Sequence, residues 1–151
     1  MSLKFRIATN EVNAAVGELT RKLNDKNMMQ EVGDIIVEDI RHRIAVTKKD
    51  PDDKTWKPWA ASTANARERK GNAALGLLFD SGNLLRSITA EVKNHGSKGG
   101  VSVYIGSNVK YAGWLNDGTD KMPARPFLGV SKRAKASIDE AIHLYLSKDS
   151  K

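Results

Sequence analysis

The side chains that could carry chemistry are few and scattered. His42, His95 and His143 fall in three different predicted elements, and none has a serine and a carboxylate placed as an acyl-transfer triad requires. Asp80-Ser81-Gly82 lacks the glycine that must precede the serine of a nucleophile elbow. Gly96, Gly99 and Gly100 lie at a predicted hairpin tip, without the strand-to-helix context of a phosphate cradle. Asp50, Asp52 and Asp53 suggest a cation loop, but neither the central glycine nor the distal glutamate of a calcium site follows. With no cysteine, thiolate metal sites, disulfides and cysteine nucleophiles are excluded, and a reducing compartment fits. By elimination this is a structural or binding protein without cofactor or metal.

The densest run of constrained residues is Tyr111 to Ser131, YAGWLNDGTDKMPARPFLGVS. Tyr111, Trp114 and Leu115 share one face of a helical turn. Gly118 supplies the positive φ of a C-terminal cap. Pro123 and Pro126 bracket Ala124 and Arg125 and push them toward extended geometry, so a stiff strap is expected, anchored by Phe127 and Leu128. Asp117, Asp120 and Arg125 form a potential carboxylate–guanidinium cluster that would pin that strap. Upstream, Trp56 and Trp59 sit in a charged, proline-bearing loop where leaving indoles in water is costly. Either they fold back on the core or they anchor a subunit contact. Trp56, Trp59, Tyr111, Trp114, Arg125 and Phe127 are therefore the candidate interface residues.

The elements that must position them follow from periodicity. Leu3, Phe5 and Ile7 alternate with Lys4 and Arg6 as a half-buried strand. Asn10 can cap a helix carrying Val12, Val16, Leu19 and Leu23 on one face. A second helix is expected from about Met29 to Val46, with Val32, Ile36, Ile40 and Ile44 as the longest apolar stripe in the chain. Residues 47–74 read as a mobile loop with a polar helical turn at 61–74. Residues 87–106 read as a β-hairpin with a loose tip, and Ser131 to Ser147 as a closing amphipathic helix. The fold class is thus a single α+β domain. A small antiparallel sheet of three to four strands is packed by two N-terminal helices and a C-terminal helix.

At 151 residues the chain can bury a core without staples, and no apolar run is long enough to span a bilayer. Its net charge of +7 is uneven: −2 over residues 1–40, +10 over 41–136 and −1 over 137–151. A basic middle could face nucleic acid or an acidic partner, with Arg67, Arg69 and Lys70 as possible DNA-facing residues. An ordinary solvated lysine excess accounts for it more simply, because no compact basic run is interleaved with stacking aromatics.

Four stretches taken in order, TWKPWA (55–60), LLFDSGNLLRSI (77–88), YAGWLNDGT (111–119) and PARPFLGVS (123–131), resemble tailed-phage virion morphogenesis proteins. The likeness is to the Mu-like tail-completion family and related head–tail joining proteins. Trp56, Pro58, Gly82, Leu84, Ile88, Tyr111, Ala112, Gly118 and Thr119 match its pattern, as do Ala124 to Leu128. Asn116 departs from it, standing where relatives often carry glutamate or a histidine-containing sequence. The resemblance implies a non-enzymatic protein that assembles as a homo-oligomeric ring where tail meets head. Its partners would be tail tube or terminator proteins or the head connector, with DNA close by and no membrane. It would act in the host bacterial cytoplasm and then in the neck of the virion. A stand-alone basic nucleic-acid-binding protein is the alternative.

Overall fold

The longest apolar stripe becomes the central helix. In the computed structural model, which describes residues 3–8, 25–96 and 100–148, α1 runs Lys26–His42 and buries Met28, Met29, Val32, Ile36 and Ile40. Each such side chain removed from water contributes ~1.5–3 kcal/mol before entropy is counted, so this stripe dominates the packing. The helix starts three residues earlier than its apolar periodicity predicts, because Asp25 caps it by accepting the Asn27 N–H at 2.6 Å. It also ends earlier. From Arg43 to Thr47 the chain widens into a π turn, closed by the Lys48 N–H bonding to the Arg43 carbonyl at 2.8 Å with Lys48 left-handed at φ 56°. Ile44 stays in the core and Val46 is turned out.

Three strands form one antiparallel sheet: β1 (Leu3–Ala8), β2 (Ile88–Asn94) and β3 (Val101–Ser107), with β3 in the middle. The hairpin is in the register Ile88↔Ser107 to Asn94↔Val101, and β1 pairs on the other side of β3 from Leu3↔Ser107 to Ala8↔Ser102. The inner face carries Phe5, Ile88, Ala90, Val92, Val101, Val103 and Ile105 onto α1. Helix and sheet approach so closely at Gly33 that a Cβ there would lie 2.7 Å from Val103 and 2.8 Å from Ala90. The α+β class and the three-stranded sheet are as expected. The helix expected to start at Asn10 and run to Leu23 lies outside the described residues.

Two short helices, α2 (Ala61–Arg69) and α3 (Asn83–Ser87), precede the hairpin, and α4 (Ala112–Asp117) follows it. The last element, α5 (Lys132–Lys148), is capped by Ser131, whose hydroxyl accepts the Ala134 N–H at 3.1 Å. Its buried face is Ala134, Ile138, Ala141 and Ile142, and it packs on α1. Near its end the Tyr145 hydroxyl donates to the Asp25 carboxylate, tying the end of α5 to the start of α1. The segment 47–74, expected as a mobile loop, is a turn bridged between Lys49 and Thr55 followed by α2. No helix among the described residues is long and apolar enough to cross a membrane.

The Tyr145 hydroxyl first, and then the Asn27 N–H, hold the Asp25 carboxyl below the ordinary aspartate range. A depressed carboxylate contributes stability above its unfolded value and loses it as pH falls through the folded one. Tyr145→Phe should therefore lower the urea midpoint most at neutral pH. Its gap from the wild type should narrow as pH drops below the unfolded aspartate value of roughly 4. Urea titrations across that range measure it; a gap that does not change with pH would detach Asp25 from acid unfolding.

Candidate functional site

Arg125 sits between two prolines on an extended strap, and extension sends its side chain inward. Its own N–H bonds to the Leu115 carbonyl at 2.9 Å. Its guanidinium reaches back across the chain, with Nε donating to the Lys57 carbonyl and Nη2 to the Pro58 carbonyl, both at 2.9 Å. The residue is 4% exposed, and burial pulls its pKa below the ordinary arginine value. The predicted cluster with Asp117 and Asp120 does not form. Backbone carbonyls take the guanidinium N–H groups, while Asp117 accepts from Asn116.

Two further bonds close the same lock. The Trp56 indole N–H donates to the Pro126 carbonyl at 2.8 Å, and the Asn116 Oδ1 accepts both the Phe127 and Leu128 N–H groups at 3.1 Å. Phe127 is fully buried beside them. Gly118 takes φ 78°, and a Cβ there would lie 2.6 Å from the Ala124 nitrogen, so the end of α4 and the strap touch backbone to backbone. The loop 55–60, α4 and the strap are thus one rigid wall. Arg43, in the π turn after α1, adds a link, donating to the Gly129 carbonyl at 3.0 Å while paired with buried Asp39 of α1 at 2.9 Å.

On the outside of that wall is a cleft of about 750 Å³. Trp59, Leu78, Tyr111, Trp114, Met122 and Pro123 supply its apolar lining. Trp114 is 61% exposed, an unusual position for the largest side chain in the alphabet. Across the cleft the Arg67 guanidinium stacks on the Trp59 ring at 4.5 Å, donates to the Phe79 carbonyl at 2.9 Å and pairs with Asp80 at 3.6 Å. Leu78 is held at φ 62°, a conformation a bulky side chain seldom takes, which marks this rim as strained. Helix α2, rising from the Trp59 side, buries none of its residues.

The six interface candidates therefore divide in two. Trp59, Tyr111 and Trp114 line the open cleft. Trp56 and Phe127 are inside the chain and Arg125, 4% exposed, backs the cleft's lining. The expectation that Trp56 and Arg125 reach out to grip a neighbour is corrected: the indole N–H of Trp56 and the Nε and Nη2 of Arg125 donate to backbone carbonyls and hold the cleft's wall instead. Of the basic trio, Arg69 and Lys70 are exposed, but Arg67 is committed to Trp59, Phe79 and Asp80. Sequence reasoning missed Asn116, Leu78 and Met122; only the N-D-G run after Leu115 hinted that Asn116 had a positional role. The histidines stay apart, on α1, at the hairpin tip and on α5, and the described residues contain no group of three potential metal ligands.

A family model described as the phage virion morphogenesis family matches residues 7–147 of the chain. No curated protein and no solved structure matches it.

Arg125→Lys cannot reach two carbonyls in the same plane and should cost about 1.5–3 kcal/mol in urea unfolding, whereas Trp56→Phe, losing one hydrogen bond, should cost about 1 kcal/mol. Trp114→Ala should leave the unfolding midpoint within about 0.5 kcal/mol of wild type, as a surface change does. A Trp114 variant as unstable as the Arg125 variant would contradict this division between wall and cleft.

Proposed function

The chain belongs to the phage virion morphogenesis family, and from that membership we propose that it acts, without catalysis, in tail completion or head–tail joining as a ring of identical subunits. The Mu-like tail-completion role is the form of that activity we favour. Tail tube or terminator proteins, or the head connector, are the partners this role calls for. Assembly in the host cytoplasm would then be followed by incorporation at the neck or tail end of the virion.

The observation that carries the reading is Trp114, left 61% exposed over a cleft whose wall is immobilised by internal bonds. A ring requires heterologous contacts, two different patches on each subunit that meet and close on repetition. Contact energy in such interfaces concentrates in a few tryptophan, tyrosine and arginine side chains that become desolvated together. Here Trp59, Tyr111, Trp114 and Arg67 are gathered at one cleft. A surface already fixed before contact loses little entropy on binding, and the Arg125 and Trp56 bonds fix this one. The same arrangement explains why the apolar strap is not simply absorbed into the core: its inner side holds the wall and its outer side lines the cleft.

Light scattering at high protein concentration, or in the presence of purified tails, should reveal an oligomer. Trp114→Ala should weaken that association tenfold or more, equivalent to about 1.4 kcal/mol or above, and reduce infectious particles while the melting temperature holds. A strict monomer in every such condition would count heavily against the ring. Normal particle yield from a Trp114→Ala, Tyr111→Ala double variant would remove the cleft from assembly.

A further inference from the structure

The sheet has a second face that no described helix covers. Pairing puts Lys4 and Arg6 of β1, Ser102, Tyr104 and Gly106 of β3, and Thr89, Glu91 and Lys93 of β2 on that side together. Its charged groups are three cations and one carboxylate. Arg6 is set in place by two bonds to the Ser102 hydroxyl at 2.6 and 3.0 Å, and lies 5.9 Å from the Tyr104 ring centre. Lys93 approaches the same ring at 5.1 Å. Glu91 meets Lys4 at 4.0 Å and Lys93 at 3.7 Å, all three side chains being about half exposed, so these pairs hold their cations weakly. At one end, over Gly106, the face opens into a hollow of about 560 Å³ where Arg86 joins Lys4 beside Asn83, Thr89 and Asn108.

We infer that this sheet face is a contact surface for the phosphate backbone of duplex DNA, distinct in its cations from the aromatic cleft, which its hollow meets at Asn83 and Tyr111. The cations stand on the two outer strands, about 10 Å apart across β3, where Tyr104 lies between them. Phosphate contact needs spaced donors and no apolar anchor. A protein partner would need a desolvated aromatic or aliphatic centre, and the strands offer none: their one aromatic, Tyr104, lies against Arg6 and Lys93, and Tyr111 and Val109 enter only in the hollow beyond Gly106. Arg6 and Lys93 compete with any base for the half-buried Tyr104 ring, which disfavours single strands on the sheet itself. The basic residues that the sequence singled out lie elsewhere, on α2 and just beyond it, where Arg67 is committed and Glu68 adjoins Arg69.

Fluorescence anisotropy with a labelled duplex of about 20 base pairs tests this. With Lys4, Arg6, Arg86 and Lys93 engaged, log affinity should fall against log salt with a slope of roughly −3 to −4. Lys4→Gln with Lys93→Gln should reduce that slope by about 2 and weaken binding roughly tenfold or more at low salt. Glu91→Gln, which removes the one carboxylate on the face, should tighten binding, an effect that damage to the fold could not produce. Arg69→Gln with Lys70→Gln should change neither. Absence of binding at about 50 mM salt, or equal losses from the α2-side pair, would overturn the assignment. So would displacement by polyglutamate as readily as by unlabelled duplex, which would mark an acidic-polypeptide surface. Loss of self-association in the Lys4, Lys93 variant with DNA binding intact would make the face a subunit contact and equally refute it.

Discussion

A guanidinium buried without a carboxylate must satisfy its N–H groups on oxygen atoms of the backbone, and the position of those atoms then becomes fixed. Arg125 does this with the carbonyls of Lys57 and Pro58, almost seventy residues away in the chain. The interaction is costly to break, because an uncompensated buried cation would remain. It is also geometrically demanding, since Nε and Nη2 define a plane that two particular carbonyls must share. Loop 55–60 and the strap are consequently not two surface loops but one body. Trp56 completes the arrangement from the opposite direction, its indole donating to Pro126 while Arg125 donates to Trp56's own neighbours.

Everything distinctive about the outer surface is downstream of that constraint. With the strap held, Met122 and Pro123 are turned to the cleft, and α4 is placed so that Ala112 is buried while Trp114 is not. Asn116 fixes the end of the strap by accepting two successive N–H groups on one oxygen, which the chain can present only where it turns out of the extended conformation after Pro126. On the far rim, Arg67 does for Trp59 what Arg125 does for the wall, combining a stacked ring, a carbonyl and an exposed carboxylate.

The two faces of the sheet illustrate a different balance. The inner face is filled by α1 to the point where only glycine fits at residue 33. The outer face carries the polar and charged residues that alternate with the core positions. Cations there are positioned by register: the two-residue period that turns Phe5 inward must turn Lys4 and Arg6 outward. A charged surface is therefore an automatic counterpart of the core strands, and its sign is left to the residues that alternate with them.

Much of this was legible in the chain. The 3.6-residue stripe from Val32 to Ile44, the alternation on either side of Gly96 to Gly100, and the stop at Gly118 are local patterns whose causes lie within a few residues. They determined the α+β class, the hairpin, α1, α4 and α5. The four ordered stretches also pointed to the family. What periodicity could not decide was the direction of single side chains in segments without periodicity. Trp56 and Trp59 are three residues apart in one loop, yet one is sealed and the other lines a cleft. Arg125, which follows two aspartates in sequence, is held instead by carbonyls contributed by a loop that precedes it by three helices and a hairpin. Such choices depend on which distant backbone oxygens come within three ångströms once the core has closed, a quantity that exists only in the folded chain.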